Sequence, residues 1–144
     1  MYHYTESGLR NVWLSNGYTE RAIHGEKAVS ITDADQLHKV IGRALTRKPH
    51  LTGAEFRFLR KELGLSQTRI GQIVGASEQT VSLWERRGKI PVATQRLVKF
   101  VYLARLDGNE AVCDALDRII ELDAGSADDK LVFEDTKSGW KEAA

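Results

Sequence analysis

The chain has 144 residues, enough for one medium domain or a small domain with appendages. No apolar run approaches the roughly 20 residues that span a bilayer, and Met1 to Glu6 lacks the features of a secretory signal, so we expect a cytoplasmic protein without a membrane partner. The single cysteine, Cys113, excludes an internal disulfide and shares no zinc-ligand spacing with the four histidines, so we expect neither a metal nor a cofactor.

The net charge of +1 conceals an uneven distribution along the chain. Residues 36–106 carry 14 basic and 4 acidic side chains, for a net charge of +10. Residues 1–35 carry a net charge of −2, and residues 107–144 carry −7. The middle of the chain is therefore a candidate surface for binding a polyanion, and the two ends are not.

The first third of the chain predicts a small β element and one helix. Within residues 2–31, Asn16-Gly17 is a turn signal, and the stretch from Glu26 to Ile31 alternates polar with apolar residues. Asp33 or Asp35 can cap a helix that Lys48-Pro49 ends. Its predicted apolar face comprises Leu37, Val40, Ile41, Ala44 and Leu45.

Three short helices are predicted next. Thr52 and Glu55 form a capping box that begins the first of them, with a buried stripe of Phe56, Leu59 and Leu63. Ser66 and Ser77 cap the other two helices, and Gly75 and Gly88 follow their ends. Three helices within about forty residues predict a compact tri-helical core.

The remaining chain predicts two more helices and a loose end. Pro91 opens a helix that Asp107-Gly108 ends, and residues 109–123 repeat the helical pattern. The apolar stripe of the last helix either packs on the domain's own core or covers its twin in a dimer: Val112, Leu116, Ile119 and Ile120. Residues 124–130 are a predicted linker, followed by one short strand and an acidic tail to Ala144.

These elements predict a mainly α fold of five or six helices with a small N-terminal β element. Three segments follow: residues 1–48 hold the β element and a helix, and residues 49–106 hold the central helices. Residues 107–144 hold a C-terminal helix, which is a candidate dimer contact, and the acidic tail.

A helix-turn-helix pattern lies between Gln67 and Trp84. Counted from Gln67, Gly71 takes the fifth position, where two helices cross closely, and Gly75 takes the ninth, where the chain turns sharply. The five apolar positions that seat the second helix on the first are also filled, by Ile70, Val74, Ala76, Val81 and Trp84. An ordinary helical hairpin is the alternative, but it needs neither glycine and has no reason to lie in the most basic third.

The stretch from Leu51 to Lys61, with Leu65-Ser66-Gln67 and Gln79 to Arg86, resembles the Cro/CI/Xre family and is most similar to the DNA-binding half of MqsA-type antitoxins. The resemblance covers about residues 50–105. It implies a lambda-repressor-like domain that binds double-stranded DNA as a homodimer on a palindromic operator, with Ser77 to Arg86 in the major groove. Two departures are plain, since the chain lacks the four cysteines of the antitoxin's zinc domain and has Leu83 where the antitoxin uses an arginine.

Four residues of the predicted recognition helix are candidates for base contacts. Gln79 can both donate to and accept from the major-groove edge of adenine, and its position matches the family's base-contacting polar residue. Thr80 and Ser82 can add hydroxyl or methyl contacts. Glu78 either accepts from a cytosine amine or complements the positive end of the helix dipole.

A second set of residues is predicted to contact phosphates. The resemblance implies that Gln67, at the start of the preceding helix, bonds a phosphate through its side chain and backbone. The other predicted phosphate contacts lie along the same edge: Arg69, Ser77, Arg86, Arg87 and Lys89.

These candidates predict a sequence-specific transcriptional regulator, an autoregulating repressor that covers its own promoter. The alternative is an antitoxin, in which residues 1–48 or the acidic 107–144 hold a toxin protein while the central segment represses the shared operon. We do not expect an enzyme, because no nucleophile-base pair, phosphate-binding glycine loop or metal cluster is present in the sequence.

Overall fold

The computed structural model describes residues 1–121 and 130–143, and these are mainly helical, as predicted. None of the described helices is long and apolar enough to cross a bilayer. In the described part the helices are α1 Ala34–Thr46, α2 Gly53–Glu62, α3 Gln67–Val74, α4 Glu78–Arg87, α5 Val92–Leu106 and α6 Glu110–Ile120. The strands there are β1 Tyr2–His3, β2 Trp13–Leu14, β3 Tyr18–Ile23, β4 Glu26–Ile31, β5 Phe133–Thr136 and β6 Gly139–Glu142.

The central helices begin at the capping residues that the sequence predicts. The Thr52 hydroxyl accepts a hydrogen bond from the backbone amide of Glu55, and the Glu55 carboxylate accepts one from the amide of Thr52 at 2.8 Å. The hydroxyls of Ser66 and Ser77 each accept from the amide three residues on. Each such cap satisfies an amide that has no partner within the helix and stabilises the protein by about 1 kcal/mol.

The buried core is centred on α2. Phe56 and Leu59 are completely enclosed, and Leu63 is nearly so. α2 packs against α1, α4 and α5, and α5 contributes Val98 and Val101 to the same cluster. Each of these apolar side chains stabilises the fold by about 1.5–3 kcal/mol through its burial.

The buried face of α1 differs from the predicted one. Ile41 and Leu45 are buried as expected, but Val40 is 51% exposed and Ala44 is also exposed, so the prediction was wrong for these two. The buried face includes Gly42 instead, where an added β-carbon would lie 2.0 Å from the Tyr102 hydroxyl oxygen. The close approach of α5 at Gly42 decides which face is covered, and apolar periodicity alone does not reveal it.

The N-terminal β element consists of two separate two-stranded sheets. β1 and β2 pair antiparallel, and three residues around them, Tyr4, Leu9 and Leu14, are buried in the same cluster as α2. Asn16-Gly17 lies between β2 and β3 and closes no hairpin. The β3–β4 turn is His24-Gly25, where φ is positive at both residues, as a two-residue hairpin of type I′ requires.

The C-terminal segment contains a hairpin rather than one strand. β5 pairs antiparallel with β6, and Phe133 lies opposite Glu142. The prediction of a loose tail after the first strand was therefore wrong, because residues 137–138 turn the chain back on itself. The predicted linker lies mostly outside the described residues, and the segment boundaries at residues 48 and 106 stay predictions.

Candidate nucleic-acid interface

α3 and α4 are joined by a tight three-residue turn whose geometry requires both glycines. At Gly71 an added β-carbon would lie 2.3 Å from the carbonyl oxygen of Ala76, so the two segments cross with no room for a side chain. Gly75 has a φ of +76°, a conformation that costs any other residue about 1–2 kcal/mol. The two glycine requirements predicted from the sequence are both confirmed.

The inner face of α4 is held on α2 and α3 by apolar packing. Ile70 and Val81 are buried, while Val74, Ala76 and Trp84 are partly buried and pack on the core. The Trp84 ring meets Phe56 of α2 edge to face, with centroids 6.3 Å apart. All five predicted apolar positions therefore face the helical body.

A buried ion pair fixes α4 to α2. Arg60 Nη2 donates to Glu85 Oε1 at 2.8 Å, and both side chains are at least nine-tenths buried. Arg60 also donates to the carbonyl of Leu65, and Gln67 donates through Nε2 to Glu85 Oε2 at 3.0 Å. This network ties α4 to the start of α3, and it engages the amide nitrogen of Gln67, one of the predicted phosphate contacts.

The outer face of α4 presents the predicted base-contacting residues. Glu78 and Gln79 are exposed, whereas Thr80 and Ser82 are partly buried. The Thr80 and Ser77 hydroxyls lie 2.9 Å apart and bond to each other. Gln79 is therefore the most accessible uncharged polar side chain at the start of this helix.

The predicted phosphate contacts fall into two groups. Arg86, Arg87 and Lys89 are exposed at the C-terminal end of α4 and just beyond it. Arg69 is directed elsewhere, since its Nη2 lies 3.1 Å from Asp117 of α6 and its Nη1 donates to Gln72. The sequence offers no signal for this pairing, because the two residues lie 48 positions apart.

A groove of about 620 Å³ runs beside α4, and its lining includes two basic residues that the sequence analysis missed. Arg57 and Lys61 of α2 line it together with Gln67, Ser82 and Arg86. Both missed residues are exposed and one helical turn apart, on the face of α2 opposite its buried stripe. Two basic residues at this spacing on an exposed helix face are the signal that could have found them.

The N-terminal segment, residues 6–8, also lines this groove. It is anchored by a chain of hydrogen bonds: the Tyr4 hydroxyl lies 2.7 Å from His38 Nε2, and His38 Nδ1 lies 3.0 Å from Glu62. Burial raises the pKa of Tyr4. The Tyr4 hydroxyl donates to Nε2 in the His38 tautomer whose Nδ1 donates to Glu62. The N-terminal element thereby packs on α1 and α2 at the edge of the candidate interface.

The apolar stripe of α6 is partly packed on the core and partly exposed to solvent. Leu116 packs on the core, while Ile119 is 64% exposed. Cys113 is a free, partly buried cysteine on the same helix. Both alternatives for this stripe therefore stay open, since one of its residues packs inward and another faces outward.

No family model, curated protein or solved structure matches the chain. The resemblance to Cro/CI/Xre regulators therefore rests on the motif residues alone. A function can therefore be inferred only from the residues of α3, α4 and the groove beside α4.

Proposed function

We propose that the chain is a sequence-specific DNA-binding transcriptional regulator with a lambda-repressor-like helix-turn-helix, in which α4 is the recognition helix. The observation that carries this proposal is the two-sided character of α4. Its inner face is immobilised by Trp84 and the Arg60–Glu85 pair, while Glu78 and Gln79 are exposed at its start. A helix held rigidly with polar side chains outward, in a segment of net charge +10, suits insertion into the major groove.

Base discrimination is assigned chiefly to Gln79. Its side-chain oxygen can accept a hydrogen bond from adenine N6 while its side-chain nitrogen donates one to N7. Ser82 lies one turn further along the same helix. Arg86, Arg87 and Lys89 supply phosphate contacts that contribute affinity on every sequence.

The first experiment is a gel-shift titration of the full chain against the DNA upstream of its own gene, with scrambled competitor, at two salt concentrations. We expect binding that survives the competitor and weakens with salt, as an autoregulating repressor requires. Binding without preference over scrambled DNA would contradict the proposal.

Two substitutions then separate the assigned roles. Gln79→Ala should reduce discrimination at one base pair by roughly 1–3 kcal/mol, because one bidentate contact is lost. Arg87→Ala should weaken binding on all sequences and flatten the salt dependence. Equal losses for both variants on every DNA would show that the roles are wrongly assigned.

A palindromic operator requires two copies of the chain, and we assign the contact between them to α6. Ile119 is exposed, whereas Leu116 packs on the core and is a poor test position. Ile119→Asp should give monomers by light scattering and weaker operator binding, with an unchanged helical circular dichroism spectrum. A dimer that survives this substitution would move the contact to another surface.

A further inference from the structure

The charged side chains that line the groove beside α4 differ in whether they are paired within the protein. Acidic and basic side chains line it in similar numbers, but they differ in whether another group of the protein already neutralises or bonds them. An ionised side chain that is already paired offers little to a ligand, whereas an unpaired one is free to bind an opposite charge.

Each carboxylate on the groove wall is engaged within the protein. Glu85 accepts from the buried Arg60 and from Gln67. Glu62 lies 3.0 Å from His38 Nδ1. Glu6 accepts a hydrogen bond from the Tyr2 hydroxyl, which lowers the pKa of this carboxyl.

The two exposed cations of α2, Arg57 and Lys61, are not engaged in this way. Among the described residues, no acidic side chain lies within ion-pair distance of Arg57 or Lys61. Within the described part of the chain, Arg86 of α4 donates to the backbone carbonyl of Ser82, at a long 3.4 Å, and has no acidic partner. Three cationic side chains from two helices thus face one groove whose carboxylates are occupied.

We infer that this groove binds the DNA backbone, with Arg57 and Lys61 of α2 contacting phosphates of the strand beside the major groove that α4 enters. The inference rests on the proposed function and adds α2 to the binding surface. Ser82 and Arg86 line the groove and also belong to α4, so a strand lying in the groove is adjacent to the bases that α4 contacts.

The spacing of the two α2 cations fits a repeating anion better than a single one. Residues four apart on a helix have β-carbons about 5–6 Å apart, and long side chains can reach neighbouring phosphates from there. A DNA strand presents one phosphate per about 3.4 Å of axial rise.

The test measures DNA binding by the full chain at several salt concentrations. Fluorescence anisotropy reports the binding to an operator duplex and to a scrambled duplex. The variants are Arg57→Gln, Lys61→Gln and the double variant. Lys39→Gln combined with Arg47→Gln is the matched control, because these α1 cations are exposed and do not line the groove. Arg57→Lys preserves the charge.

We expect each groove substitution to reduce the slope of log K against log[salt] by about 0.9 for every copy of the chain bound, and the double variant by about twice that. The reduction in slope should be the same on both duplexes. Arg57→Lys and the α1 control should keep the wild-type slope. Circular dichroism should show unchanged melting, since both residues are exposed.

The outcomes separate this inference from the proposed function. If the wild type binds specifically but the groove variants keep its slope, the phosphate contacts of Arg57 and Lys61 are overturned and the proposed function stands. If the slopes fall on both duplexes but the wild type shows no preference for the operator, the phosphate contacts are supported and sequence-specific regulation is overturned. A wild-type chain that binds neither duplex would overturn both.

Discussion

The helical body from α2 to α5 and the β3–β4 hairpin are built in different ways. In the body, Phe56, Leu59 and Val81 have no exposed surface, and capped helix ends coincide with buried stripes. In the hairpin six residue pairs are in register, yet residues 19–27 are all exposed. Because an isolated two-stranded hairpin is marginal in water, the body should carry the global stability and the hairpin should open locally.

The largest expected effect is the loss of one partner of the buried ion pair in the body. Glu85→Ala leaves the Arg60 charge buried without compensation, which should cost about 3–5 kcal/mol of unfolding free energy in urea titrations. Combining Arg60→Met with Glu85→Leu should recover most of that loss. Glu20→Ala in β3 is the exposed control, and if it were as damaging as Glu85→Ala, the contrast between the two regions would fail.

A second contrast compares a glycine from each region. Gly71→Ala places a β-carbon 2.3 Å from a backbone oxygen, so α3 and α4 must separate, at a cost of about 1–3 kcal/mol or more. Gly25→Ala in the hairpin turn meets no atom within 4 Å, and the strain of its φ of +78° falls on a hairpin that should open before the body unfolds. Thermal melting should fall clearly for the first and little for the second. Equal melting temperatures would show that the crossing of α3 and α4 can relax.

A third contrast is pH dependence. Burial raises the pKa of Glu55, but the Lys48 ammonium 2.6 Å away and the Thr52 amide together lower it by more. The net pKa is therefore below the ordinary 4.5. The resulting stability is present above the pKa of the unfolded chain and is lost as the pH falls through the folded-state value. Glu55→Gln should therefore flatten the loss of unfolding free energy below about pH 4.5. Glu20→Gln, exposed in β3, should leave the acid profile unchanged, and a matching change in both would remove Glu55 as the cause.

The smallest expected effect is in the hairpin itself. Ile23→Thr in β3, where Ile23 is 52% exposed, should change the unfolding free energy by no more than about 0.5 kcal/mol. Val81→Thr in α4, where the side chain is fully buried, should cost about 1–3 kcal/mol, because a hydroxyl enters the core. Hydrogen exchange should show fast exchange in β3 for both. A large global loss from Ile23→Thr would mean that the hairpin belongs to the cooperative unit.

Much of the helical architecture was predictable because its signals are local. The capping box at Thr52 and Glu55 and the serine caps of α3 and α4 act within three residues. The exposure of Gln79 follows from helical periodicity once Val81 and Trp84 are placed inward. The error at α1 arose because Val40 and Ala44 are apolar and periodic, yet the neighbouring helix approaches at Gly42.

The sequence by itself determined the helix ends, the two glycines of the α3–α4 turn and the inward face of α4, since each depends on residues close in the chain. Only the tertiary structure decided that Arg69 pairs with Asp117 and that residues 6–8 line the same groove as Arg57. Those contacts join segments tens of residues apart. Their geometry depends on how whole helices pack, and no local pattern in the sequence records it.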